Sequence, residues 1–378
     1  MKLAILKEPS PYEARIPITP DLVKKYTGAG YQVHIETGAG MRAGFPDKVL
    51  QSAGAIIVND AAAALRDAEL LLAVHTPPKE TLMQLDEGAT VIALLDPYRN
   101  GELFDTLNAR KITSFALELV PRTTRAQSMD VLSSQANLAG YRAVLEAATL
   151  YPRAFPMFMT AAGTIAPARV FVMGAGVAGL QAIATARRLG AIVSATDVRM
   201  AAKEQVQSLG ASFIMVEDDE TKAAETTAGY AKEMSEAYKA KQAALVAEHI
   251  TKQDVVICTA LIPGRPAPTL VSEEMLKTMK PGSVLVDLAT SWGGNCPLSE
   301  KDAVVQKHGV TIVGYANMAA RVPADASALY GKNIFNFLEL MIDPKGPIID
   351  INWQDDILAA CCLTHEGKTI HPQFGGAK

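Results

Sequence analysis

The stretch that most constrains what this chain can fold into runs from Arg169 to Asp197: R-V-F-V-M-G-A-G-V-A-G-L-Q-A-I-A-T-A-R-R-L-G-A-I-V-S-A-T-D. Val170 to Met173 is an apolar run of the length expected for a fully buried parallel strand. Gly174, Gly176 and Gly179 follow at the spacing G-x-G-x-x-G. Each glycine has a physical task in a dinucleotide turn: a tight bend, close backbone approach to a pyrophosphate, and close packing of helix on strand. A helix opening near Val177 would aim its free N–H groups at phosphate oxygens. It is predicted to run to Leu189 and stop at Gly190. A second strand, Ala191 to Ala195, leads to Asp197, 18 residues beyond Gly179. An acid there accepts from a ribose 2′-hydroxyl and repels a 2′-phosphate, which favours NAD(H) over NADP(H). Arg199 is discordant, because an arginine just past the acid can accommodate a 2′-phosphate. Strand, helix, second strand and terminal acid together make nucleotide binding a stronger expectation than the glycines alone.

With 378 residues, two domains are expected. Before the glycine stretch, apolar runs alternate with helix signals. Strands are predicted at Lys2 to Leu6, Tyr31 to Glu36, Ala55 to Val58, Leu70 to Val74, Val91 to Leu95 and Ile112 to Leu117. Thr19-Pro20-Asp21 carries a cap, a first-turn proline and an acid, and opens a helix. Such β–α alternation means a parallel sheet covered on both faces. This first unit lacks the glycine pattern. Pro121 to Ser134 is polar with two arginines and reads as a connection; Gln135 to Leu150 reads as a long helix crossing to the second unit. Beyond Asp197, strands are predicted at Ser212 to Val216, Asp254 to Ala260, Ser283 to Ala289 and Thr311 to Tyr315. A helix is predicted around Asn333 to Met341, then a polar tail. Residues 217–233 are dense in charge and threonine and are expected to order only over bound nucleotide.

A net charge of −4 argues against a nucleic-acid partner. No apolar run reaches the roughly 18 residues needed to cross a bilayer. The N-terminus shows no signal-peptide pattern, and Cys258, Cys296, Cys361 and Cys362 lack metal-ligand spacing, so no metal is expected. A dehydrogenase of small molecules needs a positioned base. Of six histidines only His75 follows a strand of the first unit at its C-terminal end, and it also reads simply as a solvated histidine before Pro77 and Pro78. One reaction class needs no base: hydride exchange between two nicotinamides, where catalysis is positioning.

R-A-Q-S-M-D-V-L-S-S-Q-A-N-L-A-G-Y-R-A-V, M-T-A-A-G-T-I-A-P-A-R-V, A-G-Y-A-K-E-M, T-A-L-I-P-G-R-P-A-P and K-P-G-S-V-L-V-D-L-A closely resemble the NAD(H)-binding component of proton-translocating nicotinamide nucleotide transhydrogenases, in the wider family that includes alanine dehydrogenase. The resemblance spans nearly the whole chain. It implies two Rossmann-like domains with parallel, doubly wound sheets and a nucleotide cleft between them: 1–133 plus 322–378, and 134–321. It implies that Arg122, Gln127, Asp130 and Ser133, which on residue type alone read as solvated loop, hold the nicotinamide ribose and carboxamide. Val177, Asp197, Val198, Arg199 and Leu261 would line the dinucleotide beside Gly174, Gly176 and Gly179, and Gly229 and Tyr230 would close over it. NAD(H) would sit on this chain and NADP(H) on a partner domain, with a membrane proton-channel subunit completing the complex. The chain would be a homodimer, peripheral on the cytoplasmic face of the inner membrane. Where alanine dehydrogenases carry a catalytic histidine, a substrate lysine and a catalytic aspartate, this sequence has Leu95, His75 and Ser291; Arg15 alone of the substrate set remains. A soluble alanine-type dehydrogenase is the rival expectation.

Overall fold

A computed structural model describes residues 1–217, 235–262, 264–342, 346 and 348–375. The chain divides into two compact units, residues 1–135 with 320–378, and residues 136–319.

The first unit holds a sheet whose parallel strands are β1 (Lys2–Ile5), β2 (Gln32–Glu36), β3 (Ile56–Val58), β4 (Leu70–His75), β5 (Thr90–Leu94) and β6 (Thr113–Ala116), in spatial order β6-β5-β4-β1-β2-β3. The apolar runs foretell this directly. Leu3 and Ile5 enter one core with Leu70, Leu72 and Val74; Ala4 enters the other with Leu71 and Ala73. Alternate side chains thus serve opposite faces, as a sheet wound on both sides requires. Helices cover it, beginning with Pro20–Gly28, where Thr19 Oγ1 accepts from the Leu22 amide and Pro20 opens the first turn. The C-terminal segment returns through the helices Pro323–Leu338 and Asp356–Cys361 to strands Cys362–His365 and Lys368–Thr369. These two strands add antiparallel to the β6 edge. The expected polar tail is therefore part of the sheet, with Cys361, Cys362 and Leu363 buried.

The second unit begins within the helix Val131–Leu150 and continues into an exposed hairpin, β7 (Phe158–Thr160) and β8 (Gly163–Ile165), which the apolar pattern does not announce. Its main sheet contains β9 (Arg169–Met173), β10 (Ile192–Thr196), β11 (Ser212–Phe213), β12 (Val255–Cys258), β13 (Val284–Asp287), β14 (Val304–Lys307) and β15 (Val310–Val313), in order β11-β10-β9-β12-β13-β15-β14. All pairs are parallel except β14–β15, a hairpin turned by His308 and Gly309 at φ +51° and +79°. The strict parallel expectation therefore fails at one edge of each sheet. Each of these edges ends in a hairpin, β14–β15 in one sheet and Cys362–His365 with Lys368–Thr369 in the other, whose short loop needs no crossover helix. Val170 and Val172 face one core, Phe171 and Met173 the other. Cys258 and Cys296 lie buried in this unit and Cys361 and Cys362 in the first; all four thiols are free.

Among the described residues no helix is long and apolar enough to cross a membrane.

Candidate active site

At the C-terminal end of β9 the chain turns through Gly174, at φ +104°, a conformation side chains rarely adopt. A Cβ there would lie 2.5 Å from Thr259 Oγ1, which donates to the Gly174 carbonyl at 2.9 Å. A Cβ on Gly179 would fall on that same carbonyl oxygen. Around Gly176 there is nothing within 4 Å of the missing Cβ. The three glycines thus divide as their spacing predicts: bend, open approach, close packing. Gly176 is the N-cap of the helix Val177–Arg188 and supplies no side-chain cap, so the helix start presents backbone to whatever binds there. An open backbone cradle at a helix N-terminus fits the pyrophosphate of a dinucleotide.

Asp197 follows β10 and its side chain is nearly buried, 7% exposed. Its Oδ2 accepts from the Ala175 amide at 2.7 Å, tying the acid to the glycine turn, and from Arg199 Nη2 at 3.1 Å; its Oδ1 accepts from the Arg199 amide at 2.8 Å and Nε at 3.0 Å. Burial pushes the carboxyl up, but the Arg199 side chain and the two amides outweigh it and hold Asp197 below the usual range. It is ionised at neutral pH and can therefore only accept hydrogen bonds. Arg199 lies on the acid, not free beside it. Val177, Val198 and Leu261 are exposed at 42%, 92% and 43%, unusual for such side chains. Gly229 and Tyr230, with most of the stretch expected to close over nucleotide, lie outside the described residues.

Sequence reasoning missed the support beneath Leu261. Asn295, fully buried, accepts from the Ala260 amide at 3.2 Å and donates to the carbonyls of Ala260 at 2.9 Å and Pro268 at 2.8 Å. Asp287, also fully buried, accepts from the amides of Ala289, Asn295 and Cys296 and from Ser299 Oγ. This carboxylate is consumed by its own loop. The one available signal is the run D-L-A-T-S-W-G-G-N-C, where two glycines precede an asparagine directly after a buried strand.

In the first unit, the loop after β6 carries Arg122, Gln127, Asp130 and Ser133. Arg122 and Gln127 are exposed; Ala126 and Met129, on either side of Gln127, are buried. Asp130 caps the helix Val131–Leu150: the Ser133 amide donates to Oδ1 at 2.8 Å and Ser133 Oγ to Oδ2 at 2.5 Å. That cap starts the helix four residues before the predicted Gln135.

At the ends of β4 and β5 the base His75 is exposed but held by a buried carboxylate. Leu95 is fully buried. His75 Nε2 lies 2.8 Å from Glu13 Oε2, and Glu13 in turn pairs with Arg15 at 2.7 and 2.9 Å. Arg15 also donates to Gln135 Oε1 at 2.8 Å. Burial raises the Glu13 carboxyl, yet Arg15 and His75 more than offset this and hold it far below the usual range. Burial raises Glu8 and Glu118; Glu8 takes the amides of Val74 and His75, and Glu118 those of Leu95 and Asp96. Ser291 sits in the turn Thr290–Trp292.

Two family models match: alanine dehydrogenase/PNT, N-terminal domain, over residues 4–139, and alanine dehydrogenase/PNT, C-terminal domain, over residues 143–372. The chain is 51% identical over 381 residues to an NAD(P) transhydrogenase subunit alpha chain of Rhodospirillum rubrum, covering 100% of this chain and 99% of that one. A solved transhydrogenase structure from Sinorhizobium meliloti superposes with a TM-score of 0.86 at 50% identity, over 99% of this chain and 100% of that one. An alanine dehydrogenase of Halomonas elongata is more distant, 30% identical over 383 residues, 98% of this chain and 95% of that one. With both domain models matched across almost its full length, the chain belongs to the alanine dehydrogenase/PNT family.

Proposed function

We propose that this chain is the NAD(H)-binding subunit of a proton-translocating transhydrogenase. It passes hydride between NAD(H) in its second unit and NADP(H) on a partner domain, coupled to proton movement through a membrane subunit. The observation that carries this reading is Leu95: a fully buried hydrocarbon stands where an amino-acid dehydrogenase needs a proton acceptor. Bound NAD(H) supplies the carbon that gives or takes hydride. The chain's own work is positioning. Gly174, Gly176 and Gly179 hold the pyrophosphate on backbone, Asp197 accepts from the ribose hydroxyl, and Val177, Val198, Arg199 and Leu261 border the nucleotide. Arg122, Gln127, Asp130 and Ser133 orient the nicotinamide ribose and carboxamide, and Gly229 and Tyr230 close over them. No side chain has to move a proton, so the buried carboxylates of the first unit stay structural.

The chain works as a homodimer, peripheral on the cytoplasmic face of the inner membrane. The exposed Met157, Phe158, Met159 and Ile165 of the β7–β8 hairpin support a covered face in the working assembly.

The test is single-turnover transfer from NADH on this chain to an NADP⁺ analogue on an NADP(H)-binding partner domain. Wild type should transfer, and should not oxidise alanine or reduce pyruvate alone. Gln127→Asn and Arg122→Ala should lower transfer by roughly a hundredfold, the penalty for a displacement of about 1 Å, while NADH affinity changes little. Transfer by Gln127→Asn at the wild-type rate, or alanine oxidation at an ordinary enzymatic rate, overturns the reading.

A further inference from the structure

The turn Gln127–Met129 does not hold itself in place. Ala126 and Met129 anchor it in the core of the first unit, but Gln127 and Ser128 are exposed. The peptide between these anchors is gripped from the C-terminal segment. The Ser128 carbonyl accepts two hydrogen bonds, from Asn333 Nδ2 at 2.8 Å and from Asn336 Nδ2 at 3.1 Å. Asn333 and Asn336 stand three residues apart on the helix Pro323–Leu338 and so share a face. Both lone pairs of one carbonyl are thereby taken by one helix. The Asn333 side chain is 8% exposed, and its Oδ1 accepts from Ser134 Oγ at 2.7 Å. A carbonyl can only accept, so the amide orientation is fixed with nitrogen towards Ser128. One amide therefore ties the turn carrying Gln127 to the first turn of the helix that Asp130 caps. On the other side of Ala126, Arg125 forms a two-oxygen ion pair with Asp355 at 2.6 and 2.9 Å and also reaches Asp356, at the head of the helix Asp356–Cys361.

We infer that Asn333 is a positioning residue for hydride transfer, assisted by Asn336 and Arg125: through the Ser128 carbonyl it sets where Gln127 meets the nicotinamide. The inference rests on the transhydrogenase reading and adds to it that the loop's geometry is imposed by the C-terminal segment, more than 200 residues away in sequence.

The experiment measures three quantities on the full chain: single-turnover transfer to the NADP⁺ analogue on the partner domain at saturating NADH, NADH dissociation constant, and unfolding midpoint. Asn333→Asp keeps the shape and the acceptor for Ser134, but sets an oxygen against the Ser128 carbonyl. Transfer should fall at least roughly tenfold, well within the roughly hundredfold that about 1 Å of misplacement costs, with NADH affinity within about twofold of wild type. Asn336→Ala, at a half-buried position, should lower transfer by about two- to fourfold, and Arg125→Lys should retain more transfer than Arg125→Gln. Wild-type transfer by folded Asn333→Asp, or a fall matched by equal loss of NADH affinity, overturns the inference. Should Asn333→Asp not fold, wild-type transfer by the double variant Asn336→Ala, Arg125→Gln overturns it. If wild type itself transfers nothing, the functional reading fails instead.

Discussion

The two sheets end their central strands in opposite ways. At the end of β9 the chain uses glycine, leaving an open backbone turn at Gly176 and an uncapped helix start. At the ends of β4 and β5 it uses buried acids: Glu8 takes the amides of Val74 and His75, and Glu118 those of Leu95 and Asp96. Backbone N–H groups at strand ends are what an anionic ligand would seek. In the first unit they are already paired by the chain's own carboxylates. The same architecture therefore yields one cradle ready for phosphate and one that is occupied from within. A sheet's fold does not decide whether it binds nucleotide; the satisfaction of a few amides does.

The contrast can be broken most severely at Gly179. Gly179→Ala puts a methyl group on the Gly174 carbonyl and should destabilise the second unit by about 4 kcal/mol or more, abolishing NADH binding. Gly101→Ala in the first unit, with nothing within 4 Å of its added Cβ, should be nearly neutral. Denaturant unfolding with NADH titration measures both; equal tolerance at the two sites would erase the distinction.

The acid-filled side is tested next. Glu13→Gln leaves the fully buried Arg15 without its counter-charge and should cost about 3 kcal/mol at neutral pH. The Glu13 carboxyl lies below its ordinary 4.5, so its contribution is present above that value and lost as pH falls through the lowered one. The gap in unfolding midpoint between wild type and variant should be constant above 4.5 and narrow below it. Glu8 and Glu118, raised by burial, have the opposite sign: the stability they give is present below 4.5 and lost as pH rises through their raised values. A gap that widens on acidification would contradict the assignment of Glu13.

The smallest effect is on cofactor choice. Asp197→Ala removes the proposed ribose acceptor and releases Arg199, so NADH should weaken by about tenfold while NADPH tightens. Fluorescence titration with each nucleotide reads this. Equal binding of both by wild type would remove Asp197 from its role.

The features legible in the sequence were those with a local signature. Gly174, Gly176 and Gly179 are spaced by the demands of one turn, and the parallel strands of both sheets announce themselves as short apolar runs, whereas the antiparallel strand Val304–Lys307 does not. What escaped were pairings made across the chain. Glu8 meets β4 66 residues on, Asn333 meets Ser128 across 205 positions, and no residue near either hints at the partner. Asp130 as a cap was hidden in a polar stretch that reads equally as a linker. The strand Cys362–His365 was lost for a different reason: a four-residue strand with a threonine and a histidine carries too little apolar signal to stand out.

The four cysteines give the molecule built-in reporters of its own opening. Burial pushes every thiol up, Cys362 to about 12, so none reacts readily while its surroundings stay packed. Two lie in each unit. Alkylation followed by mass spectrometry would therefore clock the exposure of Cys258 and Cys296 separately from that of Cys361 and Cys362. Whether the units loosen together or one at a time could be read from the unaltered chain, without attaching a probe.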